Sequence, residues 1–170
     1  MNRYEEVTSD VSNILSKIQA VHFPELKNAK IKALFDIKKR LSKRAVILAC
    51  IVKPNDLIRH FSKIELNAGY DGYDYIIILD KVCWDAISDT DKERIIRHEL
   101  RHTFFDIESE GNSYQLIDHD VTDFYSEMEL NNDDPRWRQR LATLTNDIYE
   151  QAKEAAQEIK GGKKRGKSNG

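Results

Sequence analysis

This 170-residue sequence contains few cysteines, only short apolar runs and little net charge, and each of these features argues against a class of site or partner. The two cysteines, Cys50 and Cys83, form no CxxC pair, which excludes a zinc site made of cysteines and argues against a disulfide framework. The longest apolar runs, residues 45–52 and 75–79, are too short to cross a bilayer, so we expect no membrane association. A formal net charge of −2 gives the whole chain no bias toward nucleic acid.

The length and the balanced composition predict one globular domain with an appendage. Apolar residues make up 40% of the chain and charged residues 33%, which fits a soluble protein with a substantial core. We assign residues 1–159 to this domain, and we place its functional core at about residues 45–130. The start of the chain lacks the apolar core of a signal peptide, so we expect a cytoplasmic location. The oligomeric state is not predicted.

Residues 160–170 form a basic tail rich in glycine and lysine. This composition predicts disorder. The tail either keeps the protein soluble or makes weak, salt-sensitive contact with nucleic acid.

The residues that carry chemistry form an HExxH motif at residues 98–102. The segment has helical periodicity, and Thr90 and Glu93 stand at the spacing of a capping box at its start. An apolar stripe should press this helix into a core; it consists of Ile95, Ile96, Leu100 and Phe104. The alternative is a surface helix whose histidines and glutamate are merely solvated.

Positions four apart on a helix differ by about 40° around its axis, so His98 and His102 can bind the same metal ion. Glu99 lies one step round, where it can reach a metal-bound water. His119 follows a polar, turn-rich loop and is a candidate third ligand, because a returning segment would bring it beside the metal. Three histidines would leave a fourth zinc position open for water.

Other assignments at this site remain open. Glu127 and Glu129 are rival third ligands, and His119 could instead be an ordinary loop histidine. Asp118, Asp120 and Asp123 are candidates for orienting an imidazole. The donor that would stabilise an oxyanion is one of three residues, Tyr125, Tyr114 or His60.

The motif, followed by the segment His119-Asp120-Val121-Thr122-Asp123-Phe124, resembles the pattern of the putative phage metallopeptidase family. The resemblance runs from about residue 45 to residue 124. More remotely, the pattern is similar to that of the SprT-like zinc proteases, which carry HExxH and then a His-Gly-x-x-Phe segment. Asp120 stands where those proteases have glycine, and the chain lacks their cysteine-rich zinc ribbon. SprT-like substrate preferences are therefore not carried over.

The resemblance implies a phage-encoded zinc metallopeptidase that acts on proteins or peptides in the host cytoplasm. Zn²⁺ would be held by His98, His102 and His119, and Glu99 would be the catalytic base. The implied fold is an α+β, zincin-like domain, in which a small mixed sheet packs on helices that include the motif helix. By analogy with HExxH peptidases, residues 73–79 are one candidate for a sheet edge that pairs with substrate, although a buried strand without substrate contact fits equally well.

Two alternatives to this function stay open. One is a metal-binding interaction module without turnover. The other is a protease acting on DNA-bound proteins, which the remote resemblance and the basic tail suggest.

Overall fold

The computed structural model describes residues 2–66, 71–120 and 123–165 and has a mixed α+β architecture. The helices are α1 (Ser9–His22), α2 (Asp56–Ser62), α3 (Lys81–Ala86), α4 (Asp89–Arg101), α5 (Tyr125–Leu130) and α6 (Trp137–Arg165), with a 3-10 turn at Pro24–Leu26. The strands are β1 (Tyr4–Glu6), β2 (Ile31–Asp36), β3 (Leu41–Ser42), β4 (Ala45–Val46), β5 (Ala49–Val52), β6 (Tyr75–Asp80), β7 (Thr103–Phe105) and β8 (Tyr114–Leu116). The α+β fold class predicted from the sequence is confirmed.

The main sheet has four strands in the order β1-β2-β6-β5. The β2–β6 pair is parallel, while β1 and β5 each run antiparallel to their neighbours, so the sheet is mixed as expected. Tyr75, Ile77 and Leu79 of β6 are fully buried, because this strand lies in the middle of the sheet. The proposed substrate edge at residues 73–79 is therefore wrong. The edge strand on that side is β5.

The apolar run at residues 45–52 contains two short strands rather than one long one. Its first part, β4, pairs with β3 in a separate hairpin, and its second part, β5, joins the main sheet. Lys43 and Arg44 turn the hairpin with positive φ angles of 47° and 70°, a conformation that costs non-glycine residues free energy. The basic residues Lys43 and Arg44 thus form the tip of the β3–β4 hairpin.

The core lies between the sheet and the helices. Val11 and Ile18 of α1 and Ile96 and Leu100 of α4 are almost completely buried in one apolar cluster. The long helix α6 joins the same cluster through Leu141. This packing presses α4, which carries the motif, against the edge strand β5.

Some elements predicted from the sequence extend into residues that the structure does not describe. The turn-rich segment predicted at residues 67–74 falls partly on residues 67–70, which lie outside the described residues. The sequence of residues 121–130 also predicts a helix; the described part of this helix begins at Tyr125, and Val121 and Thr122 lie outside the described residues. Helix α6 continues to Arg165, beyond the proposed boundary at residue 160. No helix in the described part of the chain has the length and apolar character to span a membrane.

Candidate metal centre

Helix α4 begins at a different cap from the one predicted. Ser88 is the N-cap, and its side chain accepts a hydrogen bond from the backbone N–H of Asp91 at 3.2 Å. The Ser88 hydroxyl also donates to the Asp91 carboxylate at 3.1 Å. The capping pair is therefore two residues earlier than Thr90 and Glu93, and the motif helix has a side-chain cap that satisfies one N–H of its first turn.

The motif helix is buried on its polar side as well as on its apolar side. His98 is 2% exposed and Glu99 is 7% exposed, so the alternative of a solvated surface helix is excluded. The apolar stripe is shorter than predicted, because the helix ends at Arg101 with His102 as its C-cap. Phe104 belongs to β7 instead and is half exposed.

The β7–β8 hairpin is what returns the chain to the motif. The two strands pair from Thr103 opposite Leu116 to Phe105 opposite Tyr114. At the open end of this hairpin, the N–H of Ile117 donates to the carbonyl of His102 at 2.7 Å. His119 follows two residues later and is thereby brought beside the end of α4.

Three imidazoles converge at this point. His98, His102 and His119 each offer one ring nitrogen, and these three nitrogens lie within 4.8 Å of one another. The Nε2 atoms of His98 and His119 are only 3.0 Å apart, close enough for one ion to contact both. This group could hold a metal ion.

The other ring nitrogens of two of these histidines face acceptors. The Nδ1 of His102 lies 2.8 Å from the carbonyl oxygen of Ile117, so in the neutral ring Nδ1 is the donor and Nε2 carries the free lone pair. The Nδ1 of His98 lies 2.9 Å from a carboxylate oxygen of Asp123, although the alignment is poor for a hydrogen bond. Asp123 is thus the acidic residue whose carboxylate lies beside a ring nitrogen of His98. Asp120 instead accepts from the backbone N–H of Tyr125.

Burial controls the protonation of the site. It lowers the pKa of His98, although the carboxylate of Asp123 opposes this shift. Burial and the neighbouring imidazoles lower the pKa of His119 to about 4. Both rings are therefore neutral near pH 7, which is the form that binds a metal. Burial also raises the pKa of Glu99 to about 7, against the opposing effects of Arg138 and the backbone N–H of Ile51.

The rival carboxylate ligands lie elsewhere. Glu127 is fully buried, but its carboxylate accepts hydrogen bonds from Arg97 at 2.8 Å and Arg101 at 3.0 Å. Asn131 completes this group by accepting from Arg97 at 2.6 Å. We call these four residues the ion cluster. Glu129 is exposed on the same short helix.

The three histidines and Glu99 border a cavity of about 360 Å³. One wall is the edge strand β5, represented by Ala49, Cys50 and Ile51, and the opposite wall is the chain from Leu116 to His119. Arg138, from the first turn of α6, also lines the cavity. A second cavity of about 430 Å³ adjoins the first and shares Ala49, His98, Glu99 and Arg138 with it.

The predicted oxyanion donors do not line either of these cavities. Tyr125 is mostly exposed, and Tyr114 packs edge-on against Tyr75. His60 lies on α2 beside Phe61.

A family comparison bears on the chemistry of this centre. The model of the putative phage metallopeptidase family matches residues 2–153. The chain belongs to the putative phage metallopeptidase family. No match was found among curated proteins or among solved structures. Membership in this family implies a metal cofactor and protein substrates, and the His98, His102 and His119 group is a plausible place for the metal.

Sequence reasoning missed two residues that line these cavities, Trp137 and Arg138. Trp137 is buried with its ring centroid 6.0 Å from that of His98, and Arg138 reaches both cavities. They lie far from the motif in the chain, on a helix whose apolar stripe indicates packing. No local pattern connects the start of this helix to the metal centre.

Proposed function

We propose that this protein is a zinc-dependent peptidase that hydrolyses peptide bonds with water activated at His98, His102 and His119. The observation that carries this proposal is the convergence of three imidazole nitrogens within 4.8 Å, on a cavity that also contains Glu99. Three histidine ligands leave one position of a tetrahedral zinc ion open, which is typical of catalytic rather than structural zinc. Membership in a phage metallopeptidase family supports the same reaction class and a phage-encoded protein.

The donor set fits zinc in chemistry as well as in position. Neutral imidazoles are good zinc ligands, and the contact between His102 and the Ile117 carbonyl keeps Nε2 available. When bound, zinc would supply a Lewis acid that polarises the peptide carbonyl and lowers the pKa of water.

We assign proton transfer to Glu99. It follows the ligand His98 directly on α4, so its carboxylate is held in the cavity without being one of the three converging ligands. In this position Glu99 would take the proton of the attacking water and return it to the leaving amine.

We assign stabilisation of the tetrahedral oxyanion to Arg138. Its guanidinium is always charged and lines the cavity that contains Glu99 and the histidines. Its charge lowers the pKa of Glu99, His98 and His119, so its electrostatic field reaches these three side chains. A fixed positive charge at such a place stabilises negative charge that develops in the transition state.

We also propose a zincin-type fold for the domain. The support is architectural: the motif helix α4 packs under the edge strand β5, and the motif side chains border the cavity beside that edge. An edge strand at an active site offers backbone hydrogen bonds to an extended peptide.

The test is the Glu99→Gln variant, loaded with zinc and supplied with a denatured protein as substrate. We expect one bound zinc per chain and a rate of hydrolysis about 100- to 10,000-fold lower than that of the unchanged protein, because the general base is lost. Glu93→Gln is the matched control, since Glu93 lies on the same helix and pairs with Lys17. Full hydrolysis by Glu99→Gln would overturn the assignment.

A metal-binding module without turnover remains the second candidate. It would need the three histidines but no carboxylate buried among them, and burying a carboxylate costs free energy. The position of Glu99 therefore favours catalysis. If the unchanged protein binds zinc and cleaves no denatured substrate, the module is favoured instead.

A protease acting on DNA-bound proteins would be supported by DNA binding at low salt that vanishes when residues 161–170 are deleted. Absence of such binding would remove this alternative.

A further inference from the structure

The cavity of about 430 Å³ beside the metal centre has a different character from the cavity that contains the histidines. Its walls are mainly aliphatic and aromatic, and they come from three elements that are far apart in the chain. The hairpin and the segment after it contribute Val46, Ile47 and Leu48, helix α4 contributes Ile95, and α6 contributes Trp137 and Ala142. The volume is sufficient for a large side chain.

The walls of this cavity are firmly held. Val46, Ile95 and Trp137 are each less than 10% exposed, because they also belong to the packed interior. Trp137 contacts the cavity on one side and the ring of His98 on the other. His98 also lines this cavity, so a side chain bound there would lie next to a proposed metal ligand.

The edge strand connects the two cavities. The N–H of Asp80 donates to the carbonyl of Leu48 at 2.8 Å, which makes Leu48 a residue that faces β6. In an antiparallel pair of strands, residues whose N–H and C=O groups bond to the neighbouring strand alternate with residues whose N–H and C=O groups point away from it. By this alternation, Ala49 and Ile51 direct their N–H and C=O groups away from β6, and the N–H of Ile51 contacts the carboxylate of Glu99. Ala49 lines both cavities, so a peptide paired at this edge would pass from one to the other.

We propose that this second cavity, which we call the side-chain pocket, binds a large aliphatic or aromatic side chain of the substrate residue next to the cleaved bond. The proposal rests on the proposed peptidase function and adds its substrate class, which is extended peptides with a bulky apolar residue at that position. Burial of a leucine or phenylalanine side chain contributes about 1.5–3 kcal/mol. This corresponds to roughly 10- to 100-fold in kcat/KM over a substrate with glycine at that position.

Ala142→Leu is the variant that tests the pocket, because it adds bulk to the α6 wall while keeping a residue with high helix propensity. Ala152→Leu is the matched control, since Ala152 is an exposed alanine on the same helix. Zinc-loaded proteins receive a peptide library with one varied residue, and mass spectrometry identifies the cleaved bonds. We expect the unchanged protein and Ala152→Leu to prefer leucine or phenylalanine beside the cleaved bond, and Ala142→Leu to reduce this preference about tenfold.

A binding measurement separates this inference from the proposed function. Calorimetry with the Glu99→Gln variant compares two peptides that differ only by leucine or glycine at the varied position. We expect about tenfold tighter binding of the leucine peptide, and loss of this difference when Ala142→Leu is added. Equal binding of both peptides, or library cleavage without apolar preference, would overturn the pocket. Leucine-selective binding without any cleavage by the unchanged protein would instead support the pocket and overturn the peptidase.

Discussion

Helix α4 contributes to two polar clusters, one arranged around the buried carboxylate of Glu127 and the other arranged around a cavity. On one side, the ion cluster joins Arg97 and Arg101 to Glu127 and Asn131. On the other side, the cavity cluster consists of His98, Glu99, His102, His119 and Arg138. Each cationic side chain of the ion cluster bonds to the carboxylate of Glu127, whereas the cavity cluster directs its ligand atoms at a common space.

This difference distinguishes polar groups that stabilise the fold from polar groups that can bind a ligand. A polar group that meets its partners within the protein holds elements together, and here Glu127 of α5 is tied to two turns of α4. Imidazole nitrogens that converge on a cavity can instead bind a ligand. Changes in the cavity cluster should therefore affect metal binding and turnover, while changes in the ion cluster should affect folding.

The largest effect on metal binding is expected for His119→Ala in the cavity cluster. Loss of one of three ligands should weaken zinc binding by more than about 100-fold, since the loss of an outer partner alone weakens it 10- to 100-fold. Competition with a chromophoric chelator measures the affinity, and His60→Ala is the control on an unrelated helix. Unchanged zinc affinity in His119→Ala would show that the third ligand is a different residue.

Arg138→Met should lower kcat by about 100- to 1,000-fold, because it removes a donor to the oxyanion but keeps much of the aliphatic stem. Zinc affinity should change little. Steady-state kinetics with separate kcat and KM values checks this, and Arg136→Met is the control, since Arg136 is an exposed neighbour outside both cavities. A change confined to KM would assign Arg138 to substrate binding.

In the ion cluster, Glu127→Gln should reduce the free energy of unfolding by about 3 kcal/mol, because two arginines lose a buried carboxylate. Urea unfolding of the metal-free protein measures this, with the exposed Glu129→Gln as control. Zinc affinity of the folded variant should change less than tenfold. A large loss of zinc affinity without loss of stability would erase the distinction between the two clusters.

Asp123→Asn tests the outer partner of His98. We expect zinc affinity to fall about 10- to 100-fold, since a weaker acceptor orients the imidazole less well. The neighbouring Asp120→Asn should retain the affinity, because Asp120 contacts the backbone of Tyr125. The opposite ranking would exchange the roles of the two aspartates.

The smallest effect is expected at the start of α4. Ser88→Ala removes the N-cap and should cost about 1 kcal/mol of stability, whereas Thr90→Ala should cost almost nothing. Thermal unfolding of both variants compares the observed cap with the one expected from spacing. Equal losses would contradict the cap geometry.

Much of this site was predictable because its chemistry depends on short spacings. The motif spacing indicated that His98 and His102 share a helix face, and a polar loop before His119 indicated a return of the chain. The predicted N-cap was wrong by two residues. Ser88 and Thr90 both fit the residue preference of an N-cap, and only backbone geometry distinguishes them. Phe104 was misassigned because the helix ends one turn earlier than its apolar spacing suggested.

What the sequence could not predict depends on strand order and on distant packing. Apolar content identified β6 but not its central position, since a buried strand and an edge strand can share a short apolar run. Arg138 reaches the centre only because α6 packs beside α4, and no local pattern encodes that arrangement. The pairing of Glu127 with Arg97 and Arg101 likewise depends on where α5 lies.

The contact between His102 and Ile117 uses only backbone atoms of Ile117 to orient the imidazole. The acceptor at Nδ1 is a backbone carbonyl, and the same two residues exchange a second bond through the Ile117 N–H. Any residue other than proline at position 117 supplies both groups, so the orientation of this imidazole does not depend on the identity of its neighbour. The partner of His98, by contrast, is a side chain that a single nucleotide change can remove. The acceptor beside His102 therefore does not depend on the side chain at position 117, whereas the acceptor beside His98 is the side chain of Asp123 itself.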